Sequence, residues 1–191
     1  MVGEVDYNFQ EHHHRGISTQ KCHGFRIEEN EFERANNVLA LGVDAIVVEN
    51  SGSNSTEVYK NTARNLNNGY IGEGNCMDWS QASFVGHQFL CNENFENEQN
   101  FWARKDDGDT WNHSIRTQQG SASLPAGNTF DHNNFEGDYK NGTDWVINYW
   151  HNGGTQEPIG ITTGWLAPAY TALRNRCASR MDGKEVRLTA G

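Results

Sequence analysis

The sequence predicts an all-β parallel β-helix, a solenoid with coils of about 31 residues, and three observations point to it. An apolar residue followed three places later by Asn recurs as Ile27 and Asn30, Val58 and Asn61, and Phe89 and Asn92. The steps from Asn30 to Asn61 and from Asn61 to Asn92 are both 31 residues, and a stretched match at Asn128 and Phe130, in "AGNTF", follows after 36. Short apolar runs alternate with turns rich in Gly and Asn. Composition closes off the alternatives: apolar residues at 35% are too few for a compact helical domain, while aromatics at 11% gathered in short runs argue against disorder.

The strand candidates run in order along the chain: 25–27 ("FRI"), 45–48 ("AIVV"), 57–59 ("EVY"), 70–72 ("YIG"), 88–91 ("QFLC"), 101–104 ("FWAR"), 114–117 ("SIRT") and 145–150 ("WVINYW"). β-Branched and aromatic residues supply the strand preference. The linkers "ENSGSNS", "NLNNG", "GEGN", "KDDGD" and "HNGG" supply residues that tolerate the positive φ of tight turns. One run, "TEVYKNTARNL", has a helical alternative, but its two Thr, two Asn and Val and its exit into Asn-Asn-Gly favour strand and turn.

Stacking such coils aligns equivalent positions. Ile27, Val58 and Phe89 form an inward stack, and Asn30, Asn61 and Asn92 form a ladder at a bend, where each amide bonds along the stack and to turn backbone. The repeats span 24–151, after a lead-in or cap at 1–23. Residues 152–191 hold two of the three prolines and one passable helix, "APAYTALRNRCASRM", read as a cap or a link to a further module. The opening "MVGEVDYNFQEHHHRG" lacks the basic and apolar regions of a signal peptide, so an exported chain is expected to have shed one or to be part of something longer.

The net charge of −10 and the absence of a basic stripe exclude nucleic acid as a partner, and no apolar run is long enough for membrane insertion. Cys22, Cys76, Cys91 and Cys177 make no CxxC pair; their even count and wide spacing are compatible with two disulfides, with three pairings open, and equally with buried free thiols.

"GHQFLCNENF", the aromatic pair "FW", "QQGS" and "PAGNTF", preceded by "AIVVENSG" and "NLNNGYIGEGN", resemble the β-helix repeat region of large secreted bacterial cell-surface proteins that carry a C-terminal sorting domain for type IX secretion. The likeness runs from about Gly24 to His151. It implies a right-handed parallel β-helix, secretion to the surface or the medium, and membership of a longer multidomain chain. The sequence departs from it in placing Ala63 where Phe32 and Phe95 suggest an aromatic, with Phe95 one place late.

Few motifs carry chemistry. His12, His13 and His14 are adjacent, and neighbours on a strand alternate sides, so they do not converge on one metal. Asp106, Asp107 and Asp109 crowd around Gly108; such carboxylates call for a hard cation or for solvent, which makes this turn the candidate calcium site and calcium the one cofactor considered. Trp102 and Trp111, with Asp109 to bond hydroxyls, form the candidate glycan-binding surface. Trp145, Ile147 and Tyr149 alternate as the inward face of a strand would. Arg104, Lys105 and Asp106 bring together the residue types a polysaccharide lyase needs, a base beside groups that neutralise a uronate. The expected function is a non-catalytic secreted or cell-surface module, a spacer or adhesion element whose partners are glycans or other surface proteins. A polysaccharide-active lyase or hydrolase is the alternative.

Overall fold

The computed structural model describes residues 14–34, 42–52, 54–82, 84–106, 114–132, 137–160, 165–166 and Cys177. The chain winds as a β-solenoid of stacked coils. The first coil holds β1 (His14–Gln20), β2 (Arg26–Glu28) and β3 (Glu31–Glu33), and the second β4 (Val43–Glu49), β5 (Thr56–Tyr59) and β6 (Thr62–Arg64). The third holds β7 (Asn68–Glu73), β8 (His87–Leu90) and β9 (Glu93–Phe95), and the fourth β10 (Gln99–Arg104), β11 (Gln118–Gln119) and β12 (Thr129–Phe130). β13 (Tyr139–Asn141), β14 (Ile147–Tyr149) and β15 (Trp165–Leu166) follow.

Equivalent strands pair in parallel. One sheet runs β1-β4-β7-β10-β13 and another β3-β6-β9-β12, while the remaining side is divided into β2-β5-β8 and β11-β14-β15. Between the two halves of that divided side a side chain replaces the strand ladder: Gln119 Oε1 accepts from Phe89 N at 2.9 Å and its Nε2 donates to His87 O at 3.1 Å. β1 joins its sheet upstream of residue 24, so the stack begins before the first sequence repeat. The run 114–117 is not a strand. Ser114 Oγ instead donates to Gly72 O at 2.6 Å, and Ile115 fills the space left by Gly72, where a Cβ would lie 2.2 Å from Ile115 Cγ2. The stretch 56–66 is strand and turn, not helix. Apart from Cys177, residues 167–181 with their helix candidate lie outside the described residues.

The inward stack has the expected register, Ile27 beside Val58 and Val58 beside Phe89. The ladder forms too. Asn30 N and Nδ2 donate to Asn61 Oδ1 at 3.0 and 2.9 Å, Asn61 N and Nδ2 to Asn92 Oδ1 at 3.0 and 3.2 Å, and Asn92 N and Nδ2 to Asn128 Oδ1 at 2.8 and 3.1 Å. Each Nδ2 further along also reaches back to a strand carbonyl of the preceding coil: Asn61 to Ile27, Asn92 to Val58 and Asn128 to Phe89. The 36-residue step to Asn128 therefore lengthens a loop and leaves the corner in place. Glu29, Lys60, Cys91 and Gly127, each just before a ladder Asn, have φ of 59, 53, 58 and 77°. For the three that carry side chains this left-handed geometry costs about 1–2 kcal/mol each, and it persists because the ladder fixes the corner.

Inside, aliphatic residues give way to aromatics along the stack. Phe101 lies 5.3 Å from Tyr70, 4.8 Å from Phe89 and 4.9 Å from Tyr139, and Tyr139 lies 4.6 Å from Tyr149, as ring centroids. On the β3-β6-β9 side Phe32, Ala63 and Asn94 share a register row, and Phe95 sits beside Arg64, whose guanidinium carbon is 4.3 Å from its ring. Phe95 is thus one place late because Asn94 takes the interior position. Gly69 leaves room for that amide: a Cβ there would be 3.1 Å from Asn94 Oδ1.

Of the two disulfides considered, one forms, between Cys91 and Cys177, with Cα atoms 5.4 Å apart. Cys22 is exposed and Cys76 buried, both as free thiols. They belong to the first and third coils. Cys22 N donates to Ser51 Oγ in the coil between at 3.2 Å, and Cys76 Sγ donates to Val48 O at 3.2 Å. Burial pushes the Cys76 thiol up to about 12, so it acts as a small apolar residue. The disulfide ties Cys177 to the ladder corner, where a Cβ on Gly127 would stand 2.3 Å from Cys177 Sγ.

Two stability predictions follow from the corner. Asn92→Leu strips the buried Asn61 N–H of its acceptor and is expected to cost about 2–4 kcal/mol, whereas Asn30→Ala, at the half-buried end of the ladder, costs about 1 kcal/mol or less. Urea unfolding of the two variants measures the difference, and equal costs would mean the ladder is not cooperative. Replacing Cys91 and Cys177 together by Ser is expected to lower stability by about 2–4 kcal/mol, and to make the midpoint insensitive to reductant.

Candidate functional site

The outer face of β10 alternates with its core face. Phe101 and Ala103 are buried among the core residues, so Trp102 and Arg104 point outward and are half-buried. Parallel register then brings neighbours from adjoining coils: Ile71 and Lys140 flank Trp102, and Glu73 lies beside Arg104. Arg104 Nη2 donates to the Glu73 carboxylate in a close ion pair. The Arg104 guanidinium carbon is 5.0 Å and Lys140 Nζ 4.3 Å from the Trp102 ring centroid, both within cation–π range.

Past β13 the chain turns at Gly142, whose N–H donates to Ala103 O at 2.8 Å. With no side chain there, the approach to Trp102 Nε1 stays open: a Cβ on Gly142 would sit 3.6 Å from it. Glu73, Trp102, Arg104, Lys105 and Gly142 line a cleft of about 500 Å³. Lys105 has no ion-pair partner among the described residues. The cleft offers an aromatic surface, an indole N–H, two cations and a carboxylate already engaged by Arg104.

The other sequence candidates are distributed differently. Trp111, Asp107 and Asp109 lie outside the described residues, as do His12 and His13, while His14 opens β1 at the surface. Asp106 accepts from Asn50 Nδ2 at 3.4 Å. Among the described residues no group of three or more His, Cys, Asp or Glu is placed to hold a metal. Ile147 and Tyr149 are buried, as alternation expects, but Trp145 stands outside β14 and is exposed. Glu73, Lys140 and Gly142 were not singled out from the sequence, because they come from coils on either side of β10. Nor were Trp79 and Phe84, at 71 and 70% the most exposed large apolar residues among the described residues.

Perturbed ionisable groups often mark active sites, and here the most strongly shifted of them lie in the core. Tyr70, Tyr139 and Tyr149 are raised by burial, and His87 is lowered to about 3 by burial. His87 Nδ1 bonds Thr56 Oγ1 at 2.9 Å, and its ring meets Phe89 edge-on at 4.8 Å. It is a structural residue, fully buried and not among the residues lining the cleft.

No family model, curated protein or solved structure matches the chain. The functional reading therefore rests on the geometry.

Because the folded pKa of His87 lies below the unfolded value of about 6.5, the unfolded chain takes up the proton first as pH falls. The stability tied to neutral His87 is complete above about pH 6.5 and is lost toward pH 3, at about 1.4 kcal/mol per unit within that window. His87→Gln, which does not titrate, is expected to flatten the pH dependence of unfolding free energy between those limits, and an unchanged slope would show that His87 titrates normally in the fold.

Proposed function

We propose that the chain is a non-catalytic secreted or cell-surface module, a stiff spacer or adhesion element that holds a glycan in the cleft beside Trp102. The cleft carries this reading. A sugar ring has an apolar C–H face that packs on an indole, and its hydroxyls and acidic substituents need the donors that Lys105, Arg104 and Trp102 Nε1 supply. The solenoid supports the spacer role, since a ladder and a core continuous through four coils resist bending. The Cys91–Cys177 disulfide suits an oxidising compartment outside the cytoplasm, and no helix among the described residues is long and apolar enough to cross a membrane. The resemblance of 24–151 to the repeats of type IX-secreted surface proteins points the same way.

One observation favours the enzyme alternative: a free lysine, an arginine and a carboxylate share the cleft, which are the groups a uronate lyase uses to neutralise the sugar acid and remove its proton. Against it, Glu73 is bound to Arg104. Appearance of the unsaturated product's ultraviolet absorbance on incubation with oligogalacturonate would move the reading to lyase.

The test of binding is a calorimetric titration of acidic and neutral oligosaccharides. Trp102→Ala is expected to weaken binding at the cleft by about tenfold or more while the chain keeps its native circular dichroism. Binding that survives both Trp102→Ala and Lys105→Ala would place the ligand elsewhere.

A further inference from the structure

The first coil is the open end of the stack. Among the described residues β1, β2 and β3 pair on one side only, with β4, β5 and β6. Cover is correspondingly thin: Ile27 and Phe32 are half-buried, while their register partners Val58 and Ala63 are fully buried. The ladder also stops here with an acceptor unused. Asn61, Asn92 and Asn128 Oδ1 each take two hydrogens from the Asn of the preceding coil, whereas Asn30 Oδ1 takes none among the described residues. Thr62 N, Glu93 N and Thr129 N each donate to the carbonyl of the preceding ladder Asn at 2.9 Å, which places their equivalent, Glu31 N, on the open side.

The sequence just upstream of β1 fits this edge. Arg15, Asp44, Asn68 and Gln99 occupy one register position in four successive coils. From the ladder Asn to that position the chain takes seven residues between Asn61 and Asn68 and seven between Asn92 and Gln99, and fourteen between Asn30 and Asp44, where the connection is longer. Seven residues before Arg15 stands Asn8, and three before Asn8 stands Val5, the same apolar-to-Asn spacing as Ile27 and Asn30, Val58 and Asn61, and Phe89 and Asn92. Val5 and Asn8 lie outside the described residues.

We propose that the open edge of the first coil is a docking surface for the chain's own residues 5–10, with Asn8 as a further rung of the ladder. Asn8 N and Nδ2 donate to Asn30 Oδ1, and Asn8 O accepts Glu31 N, as in every coil that follows. Val5 then falls in the row of Ile27, Val58 and Phe89. Gln10 falls in the row of Phe32, Ala63 and Asn94, where the fully buried Asn94 shows that the interior accommodates an amide. The occupant is this segment rather than a second copy because it is tethered: its link to β1 has the length used in the second and third coils, so docking is intramolecular and costs only loop closure. An uncovered parallel edge is a template for pairing with another chain, and covering it keeps the module from joining end to end through this face. The inference is independent of what the cleft beside Trp102 holds.

Amide hydrogen exchange and a disulfide trap on the full chain test the docking. The Glu31 amide is expected to exchange about tenfold or more slowly than an unstructured amide, and Asn8→Ala to remove most of that protection while circular dichroism stays native. In a Cys22→Ser background, Asp6→Cys with Glu28→Cys pairs two positions that the proposed register sets side by side, about 4.8 Å apart between strands, and is expected to form an intramolecular disulfide in air. A Glu31 amide that exchanges freely, or whose protection Asn8→Ala leaves unchanged, would overturn the proposal. So would the absence of the disulfide, and a disulfide formed only between chains would assign the edge to a second copy instead.

Discussion

A parallel coil closes only if the chain bends at the same place in every turn and the polar groups exposed by the bend are paired inside the protein. In this chain the Asn ladder meets both demands. A single amide oxygen takes two hydrogens from the Asn of one neighbouring coil, and the amide nitrogen of the inner members satisfies a carbonyl in that same coil. Bond by bond, the ladder fixes the axial spacing, the strand register and the left-handed residues Glu29, Lys60, Cys91 and Gly127. An apolar residue of similar size would fill the space and leave the corner's buried N–H groups without acceptors.

The rest of the architecture follows from corners held in register. Strands that leave a fixed corner present the same inward positions, so Tyr70, Phe101 and Tyr139 align and the core grows as a column of rings. Where the repeat is imperfect, the structure substitutes chemistry for pattern. Asn97 Oδ1 accepts Leu66 N at 3.1 Å at a second corner, and Gln119 stands in for a strand ladder. The disulfide is placed at the ladder corner too, where fixing Cys177 restrains the distal chain most directly.

With the interior committed to this repeat, function is left to the outer face and to loop insertions. The cleft beside Trp102 uses the first: three successive strands of one sheet contribute Glu73, Trp102 with Arg104, and Lys140 within reach of one ring. The lengthened connection between β7 and β8 is such an insertion, since a corner tolerates extra residues if its entry and exit remain bonded. Under the proposed reading, holding the cleft on a rigid stack limits the ordering cost when a ligand binds.

The sequence by itself determined the solenoid, its 31-residue period and the ladder, because one residue type performs one task at a constant interval and the backbone demand never changes. It also brought Trp102, Arg104 and Lys105 to notice, since they are neighbours in the chain. Tertiary structure decided what surrounds them: Glu73 is 31 residues before Arg104, and Lys140 reaches Trp102 only through strand register after a lengthened coil. Equally, the pairing of Cys91 with Cys177, the interior role of Asn94 that displaces Phe95, and the exposure of Trp79 and Phe84 depend on which face each residue occupies. A repeat encodes its period in every copy, whereas a site is assembled once, from residues whose only relation is that stacking brings them together.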